Sequence, residues 1–172
     1  MTTQAILIRT ATAEDTAAVD TLLARSYPKL LAADYPPSTL VMTLPIISRA
    51  RPELLTSGRY YLALDQGRVV GVGGYSLDAP SARGTTGGVA QRGTAHIRHV
   101  ATDPGSTRRG VGRALMLRIF ADAACENIER FDCLSTRTAV PFYGAMGFRV
   151  VNDVNVPLAA GVVFPAVRMV RP

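Results

Sequence analysis

The sequence predicts a mixed α/β (α+β) fold in a single domain over residues 1–172. Three patterns predict it: a short β-rich run followed by an amphipathic helix near the N-terminus, a hairpin over residues 59–77, and strands and helices that alternate from residue 95 onward. A chain of 172 residues that is 48% hydrophobic can bury one sizeable core, and a second domain of ordinary size would not fit beside it.

The N-terminal segment AILIRTATAEDTAAVDTLLARSY predicts a strand followed by a helix. Its first residues form a short β-type run, and Thr12 and Asp15 then have the spacing of a capping pair at a helix start. Apolar residues follow at helical spacing, at Ala18, Val19, Leu22 and Leu23.

Prolines punctuate residues 28–57, so we expect helices there to be short and interrupted, with STLVMTL and ARPELLTS as the candidates. Such a segment can form the wall of a pocket. The prolines are Pro28, Pro36, Pro37, Pro45 and Pro52.

The segment RYYLALDQGRVVGVGGYSL predicts a β-hairpin that turns at Asp65-Gln66-Gly67, where glycine can adopt the positive φ of a short turn. Residues 79–94 are polar and rich in glycine, which predicts a loop. Two roles stay open for this loop: a surface connection, which its composition favours, and a cover over a ligand.

The remaining elements alternate. AHIRHVATD predicts a strand, IERFDCLST a further strand, AVPFYGAMGF a short helix ending at Gly147, and FRVVNDVNV with VVFPAVRMV a closing pair. Between the first two strands lies a helix whose apolar residues recur every fourth position, which gives it one buried face, at Val111, Leu115, Ile119 and Ala123.

The composition favours a small anionic ligand. The formal charge is +6 and nearly all the positive charge is arginine, which binds phosphate and carboxylate bidentately. The arginines are spread along the chain without aromatic residues among them, so a nucleic-acid groove has little support.

Only Cys125 and Cys133 are present as cysteines, without metal-ligand companions, so we expect reduced thiols and no metal site. The sequence lacks an apolar run of membrane-spanning length and a signal peptide, so a cytoplasmic location is expected.

The segment DPGSTRRGVGRALM, residues 103–116, joins a predicted strand to the amphipathic helix. A helix start leaves about four main-chain N–H groups unpaired, and glycine lets an anion approach them without a Cβ in the way. Three arginines add fixed positive charge beside the glycines, Arg108, Arg109 and Arg113. The segment therefore predicts a binding site for a diphosphate, although a pair of glycines alone is more often only a tight turn.

The chain resembles the GNAT superfamily of N-acetyltransferases in its acetyl-CoA-binding half, residues 95–148. Thr107, Gly110 and Gly112 align with the family's R/Q-x-x-G-x-G/A loop. The later signature A-x-x-F-Y-x-x-x-G-F is met at Ala139, Phe142, Tyr143, Gly147 and Phe148.

This resemblance implies a mixed, mostly antiparallel sheet of about seven strands with a central splay, flanked by helices. Acetyl-CoA, the implied co-substrate, would enter the splay, its diphosphate on the amides of residues 108–113 and its pantetheine arm paired with one strand. The implied binding residues are Val100, Ala101, Thr102, Arg108, Arg109, Gly110, Val111, Gly112, Arg113, Ala114 and Phe142.

Two positions depart from the family pattern. Thr107 stands where Arg or Gln is usual, which should weaken diphosphate binding little because main-chain donors hold it. Thr136 stands where Asn is common, which makes a side-chain contact to the cofactor at that strand end less secure.

Acetyl transfer to an amine needs a base for the protonated amine and an acid for the departing thiolate. The resemblance places Tyr143 near the cofactor sulfur, and a phenol with a pKa near ~10 stays protonated at neutral pH. His96 occupies the position where many relatives carry a Glu that acts as the general base. An ordered water can serve as the base instead. Strand alternation turns His99 to the opposite face, where we expect a structural or surface role. An amide near Val100 is the expected oxyanion donor.

Three functions remain open: an N-acetyltransferase for a primary amine of a small molecule or protein, a non-catalytic acyl-CoA-binding module, and a basic nucleic-acid-binding domain, which ranks last. Direct transfer in a ternary complex is preferred over a cysteine relay, since Cys133 is in an apolar strand and Cys125 is beside Glu126. We expect residues 28–57 and the closing strands to bound the acceptor. A homodimer is one assembly that the resemblance allows, and no membrane partner is expected.

Overall fold

The computed structural model describes residues 5–80 and 91–172, which form a seven-stranded sheet flanked by five α-helices. The strands are β1 (Leu7–Thr10), β2 (Tyr60–Asp65), β3 (Arg68–Ser76), β4 (Thr94–Thr102), β5 (Arg130–Ser135), β6 (Arg149–Ala159) and β7 (Val162–Arg171). The helices are α1 (Thr16–Leu31), α2 (Pro37–Ile47), α3 (Pro52–Leu55), α4 (Val111–Cys125) and α5 (Val140–Ala145).

The strand order is β1-β2-β3-β4-β5-β7-β6, in which β4 and β5 run parallel and the other neighbouring strands pair antiparallel. The prediction of a mixed, mostly antiparallel sheet with flanking helices is therefore confirmed. The parallel pair is connected through α4, as a parallel connection requires a crossover.

The start of the first helix follows the predicted capping pattern. Thr12 and Asp15 form a capping box, in which the Thr12 amide donates to the Asp15 carboxylate at 2.8 Å. Arg9 of β1 clamps the same carboxylate with two hydrogen bonds, of 2.9 and 2.8 Å. These contacts fix the direction in which α1 leaves the edge strand.

The proline-rich segment differs from its prediction in one respect. Pro28 lies inside α1 and Pro45 inside α2, so neither residue ends its helix. Pro37 and Pro52 instead occupy helix starts, where the missing N–H costs nothing. The apolar contacts of the two helices outweigh the lost bonds. Leu31 of α1 packs in one buried cluster with Tyr35 between the helices, Leu40 of α2, and Phe164 and Ala166 of β7.

Two further core clusters cover the two faces of the central sheet. One contains the buried face of α4, and the four positions predicted for it are each 0 or 1% exposed. The other lies under α1 and α3 and includes Leu22, Leu23, Leu55, Leu62 and Val72. The sheet is thus held between α4 on one face and α1 with α3 on the other.

The central strands separate along their length. β4 and β5 pair from Thr94 and Arg130 to His96 and Asp132, whereas β4 continues to Thr102 and β5 to Ser135. The splay that the resemblance implied is therefore present. Most of the loop predicted for 79–94, residues 81–90, lies outside the described residues. Within the described ranges, no helix combines the length and apolar character needed to cross a bilayer.

Candidate functional site

A cleft of about 910 Å³ opens where β4 and β5 separate. It is bounded by α1, by the two splayed strands, by the start of α4 and by α5. Its chemically informative lining residues are Tyr27, His99, Val100, Ala101, Thr102, Ser106, Arg108, Gly110, Gly112, Arg113, Cys133, Thr136, Phe142 and Tyr143.

The start of α4 presents main-chain donors to this cleft. Gly110 caps the helix in the left-handed conformation, with φ +79°, and the Ala114 amide makes the first helical bond back to the Gly110 carbonyl at 2.9 Å. In the part of the chain that the structure describes, the amides of residues 108–113 donate no bond to another protein group. A helix start of this kind attracts anions, because unpaired N–H groups and the helix dipole point outward together.

The two glycines of the helix start have different structural roles. A Cβ on Gly110 would meet nothing within 4 Å, so this position combines positive φ with open space in front of the amides. A Cβ on Gly112 would lie 3.0 Å from the Phe142 ring. Gly112 therefore lets α4 and α5 approach each other, and only Gly110 leaves space that a ligand could occupy.

The three arginines predicted around the diphosphate separate into two groups. Arg108 and Arg113 line the cleft, whereas the Arg109 guanidinium pairs with the Asp65 carboxylate in the β2–β3 hairpin at 3.0 Å. Arg109 thus joins the helix start to the hairpin and is absent from the cleft lining. Ala114, also predicted as a binding residue, lies one turn into the helix and does not line the cleft either.

Ser106 is a polar cleft residue that the motif did not single out. Its hydroxyl is buried and, within the described residues, has no hydrogen-bond partner. A buried hydroxyl without a partner is uncommon in folded proteins. Because Ser106 lies between β4 and the start of α4 and lines the cleft, a polar ligand there would supply the missing partner.

A β-bulge shapes the wall of the cleft formed by β4. The β3–β4 ladder pairs Gly74 with Arg98 and then Val72 with Ala101, so β4 carries one extra residue in this interval. His99 has φ +47° in the bulge, and His99 and Val100 both line the cleft. The main chain near Val100 therefore leaves regular pairing with β3. Along its other edge, β4 has already separated from β5 at this point.

The two histidines of β4 are placed differently from the prediction, because His99 lines the cleft and His96 does not. His96 lies on the last paired rung between β4 and β5, opposite Asp132, and does not line the cleft. His99 does line it, because the cleft begins only beyond that rung and because the bulge interrupts the strand alternation used in the prediction. The sequence placed only His96 in the site, whereas His99 lines the cleft; the structural role expected of His99 stays a prediction.

The environment of His99 keeps its imidazole neutral. Burial, followed by the charges of Arg51 and Arg98, lowers the pKa of His99 to about 3. Its Nε2 accepts a hydrogen bond from Arg51 Nε at 3.3 Å, and its carbonyl accepts one from the Tyr60 hydroxyl at 3.1 Å. A group with so low a pKa is a poor base for an ammonium ion. Burial also lowers the pKa of His96.

Tyr143 lies where the motif predicts an acid. Its side chain is 5% exposed, lines the cleft and lies in the same buried core cluster as Cys133. Burial holds the pKa of Tyr143 well above its usual range, and burial raises the pKa of the Cys133 thiol to about 12. Both groups are therefore protonated at neutral pH. Tyr27 of α1 lines the same cleft, and burial raises its pKa to about 12.

Thr136 and Phe142 complete the side formed by β5 and α5. Thr136 Oγ1 accepts a hydrogen bond from the Ala139 amide at 3.2 Å, so its hydroxyl organises the turn into α5. The rings of Phe142 and Tyr143 meet edge to face with centroids 5.2 Å apart. These contacts hold Tyr143 in a fixed orientation beside the cleft.

The glycine loop, the splayed strands and the buried tyrosine agree with the sequence comparison. Residues 18–148 match the acetyltransferase (GNAT) family. The chain belongs to the GNAT family. By this membership the protein is an acyltransferase. No match was found among curated proteins.

Solved GNAT structures share the fold. The GCN5-related N-acetyltransferase from Rhodopseudomonas palustris has a TM-score of 0.78 at 20% identity, with 99% of this chain and 98% of that chain covered. The PaiA N-acetyltransferase from Thermoplasma acidophilum, solved in complex with coenzyme A, has a TM-score of 0.72 at 16% identity, with 98% and 99% covered. The ribosomal-protein-S18-alanine N-acetyltransferase from Escherichia coli has a TM-score of 0.61 at 16% identity, with 98% and 94% covered.

The sequence of this GNAT chain already indicates most of the cleft. Ten predicted residues line it, and three predicted residues, His96, Arg109 and Ala114, do not. Sequence reasoning missed His99, Ser106 and Tyr27 as cleft residues, and only the adjacency of His99 and Ser106 to the predicted segments could have suggested them. Among the described residues, no group of three or more His, Cys, Asp or Glu side chains is placed to hold a metal ion.

Proposed function

We propose that this GNAT acyltransferase moves an acetyl group from acetyl-CoA to a primary amine by direct transfer in a ternary complex. The observation that carries the proposal is the cleft itself. It presents unpaired amides at the start of α4, an interrupted strand wall at Val100 and a protonated phenol at Tyr143.

The residues of the cleft fit coenzyme A. The amides of residues 108–113, with Arg108 and Arg113, would hold the diphosphate, and the unpartnered Ser106 hydroxyl offers a further polar contact. The strand edge at Val100–Thr102, which faces the gap left by β5, would pair with the pantetheine amides. The PaiA N-acetyltransferase, which has the same fold, was solved in complex with coenzyme A, and this supports coenzyme A as the proposed ligand.

In the proposed reaction, the amine nitrogen forms a bond to the thioester carbonyl carbon, and the carbon–sulfur bond then breaks. A main-chain amide near Val100 stabilises the charge that develops on the carbonyl oxygen. Tyr143 donates its proton to the departing sulfur, and the proton lost by the amine returns to the phenol through solvent. An ammonium substrate first releases one proton to water. From the resulting neutral amine, the products are an acetamide and the free thiol of coenzyme A, so atoms and charge balance.

We propose that ordered water, rather than a side chain in direct contact, accepts the amine proton. His96 would need a relay because it lies outside the cleft lining, and the pKa of His99 of about 3 makes it a poor base. Because neither histidine is suited to accept the amine proton directly, we expect replacement of His96 by Gln to reduce kcat only slightly.

The proposal is tested by two assays on the purified full chain. Acetyl-CoA is expected to raise the melting temperature, since a ligand that binds only the folded state stabilises it. A panel of primary amines is then screened for release of coenzyme A thiol. Thermal stabilisation without turnover on any amine would identify a non-catalytic acyl-CoA-binding module. Absence of stabilisation by acetyl-CoA would refute both functions.

A further inference from the structure

Two arginines form a half-buried cationic cluster beside the cleft, together with His99. Arg51 lies just before α3 and donates its Nε–H to His99 Nε2, which puts it one hydrogen bond away from a residue that lines the cleft. Arg98 is the neighbour of His99 on β4. We call Arg51, Arg98 and His99 the Arg51 cluster.

The Arg51 cluster has more positive charge than nearby carboxylates neutralise. Arg98 is partly buried, donates Nη1 to the Ser76 hydroxyl at 3.1 Å and, among the described residues, forms no ion pair within 4.0 Å. Arg51 has one carboxylate partner, Glu53, whose oxygen is 3.8 Å from Nη1 and whose side chain is 59% exposed. A guanidinium that is removed from water and held by a neutral hydroxyl is incompletely compensated.

The electrostatics of the three groups agree with this geometry. The charge of Arg51 lowers the pKa of both Arg98 and His99, after burial as the larger cause, so the three side chains lie within range of one another. Because its Nε2 accepts from Arg51, His99 adds no positive charge and instead orients the Arg51 guanidinium beside a residue that lines the cleft. Glu53 is the carboxylate that acts on Arg98 from α3.

We propose that Arg51 and Arg98 bind a carboxylate or phosphate group of the acceptor, so that the enzyme acts on amines that also carry an anionic group. This inference rests on the proposed acetyl transfer to a primary amine. Guanidinium groups recognise both anions through paired N–H donors, and an anion would supply the compensation that Ser76 and Glu53 do not. A polyamine would instead bring further positive charge against the cluster.

The experiment compares amines in matched pairs that differ only in the anionic group: glycine with glycinamide, phenylalanine with phenethylamine, and phosphoethanolamine with ethanolamine. Rates of coenzyme A release are compared at equal concentrations of the unprotonated amine. We expect kcat/KM to be at least tenfold higher for the anionic member of an accepted pair. The carboxylate and phosphate pairs distinguish which anion the cluster takes.

Variants then test the two arginines. Arg98→Gln and Arg51→Gln are each expected to raise KM for the anionic amine about tenfold, while KM for its neutral partner and the affinity for acetyl-CoA stay the same. Arg98→Lys should retain part of the preference. Glu53→Gln removes the competing carboxylate and should lower KM for the anionic amine. Arg149→Gln removes one exposed positive charge at the start of β6 and serves as the control for net charge.

The inference is overturned if the neutral amine of every accepted pair is used as well as the anionic one. It is equally overturned if the preference survives in the Arg51→Gln/Arg98→Gln double variant. Should no amine be turned over, calorimetric titration of glycine, phenylalanine and phosphoethanolamine into the enzyme saturated with coenzyme A decides the matter. No binding, or binding unchanged by Arg98→Gln, contradicts the inference. Thermal stabilisation by acetyl-CoA, measured separately, shows whether the cofactor part of the proposed function fails as well.

Discussion

Tyr143 of α5 and Cys133 of β5 lie in one buried core cluster, and both side chains line the cleft between β4 and β5. This cluster joins α5 to β5, the strand that has separated from β4. Burial keeps the hydrogen on both groups, since it raises the pKa of the phenol and of the thiol. Tyr143 is therefore present as the protonated phenol, and Cys133 carries almost no thiolate near neutral pH.

Replacing Tyr143 by Phe tests the acid. We expect kcat to fall ~10²-fold with little change in acetyl-CoA affinity, because loss of a general acid affects the transition state more than ground-state binding. Steady-state release of coenzyme A thiol gives kcat, and calorimetry gives the affinity.

Tyr75→Phe is the matched control for this substitution. Tyr75 is a buried tyrosine outside the cleft lining, and its hydroxyl donates to Glu126 at 2.6 Å. We expect this variant to lose ~1–2 kcal/mol of stability with unchanged kcat. Equal rates for wild type and Tyr143→Phe would remove Tyr143 from the mechanism.

Replacing Cys133 by Ala tests direct transfer against a covalent relay. A thiol whose pKa is about 12 carries almost no thiolate near neutral pH. We therefore expect Cys133→Ala to keep kcat within about threefold of wild type, a loss consistent with a small shift of Tyr143. Intact-mass measurement of the wild type with acetyl-CoA alone should show no added acetyl group. An acetylated Cys133 that is consumed when amine is added would establish the relay instead.

Gly110→Val tests the diphosphate site through the open space at the start of α4. The valine side chain would stand in front of the amides, so we expect acetyl-CoA affinity to fall at least tenfold. Gly58→Val is the control, because Gly58 also has positive φ, +78°, and nothing within 4 Å of a Cβ. Both variants should lose similar stability through backbone strain, and only Gly110→Val should lose cofactor affinity. Equal affinities in the two variants would place the diphosphate elsewhere.

Glu126 links pH to stability at the far end of α4. Arg59 donates Nε to the Glu126 carboxylate at 2.9 Å, and this contact lowers the pKa of Glu126 from 4.5 to about 2. A carboxyl whose folded pKa lies below its unfolded pKa stabilises the fold above the unfolded value and loses this contribution as the pH falls through the folded value. Glu126 therefore contributes fully above pH 4.5 and no longer contributes below about pH 2.

Glu126→Gln should consequently reduce stability at pH 7 by of order 1 kcal/mol, since an exposed ion pair is screened by solvent. The difference from wild type should shrink between pH 4.5 and about pH 2, as denaturant unfolding at several pH values would measure. Glu129→Gln, three residues along and also exposed, is the control. A difference that stays constant from pH 7 to pH 2 would show that the Arg59 contact does not hold this pKa down.

Local patterns predicted the framework of the site because they depend on short stretches of chain. The fourfold periodicity of α4 placed Val111, Leu115, Ile119 and Ala123 in the core, where each is at most 1% exposed. Gly110 was predicted to let an anion approach unpaired amides at the helix start, and the structure gives it open space in front of a Cβ position as well as a positive φ that was not predicted. These features follow from helix geometry alone.

The features that sequence alone did not predict depend on partners distant in the chain. The bulge at His99 arises where β4 must keep register with β3 while β5 separates, and strand alternation cannot anticipate an inserted residue. Arg109 pairs with Asp65 of a hairpin far away in the sequence, which no local motif indicates. Pro28 stays inside α1 because tertiary packing of Leu31 outweighs a lost helical bond.

We propose that main-chain amides at the start of α4 hold the diphosphate of acetyl-CoA. A crystal structure of the protein with acetyl-CoA bound would decide this. We predict diphosphate oxygens within hydrogen-bond distance of amides in residues 108–113, with the thioester between β4 and β5 beside Tyr143. A diphosphate bound away from these amides in that crystal would contradict the account.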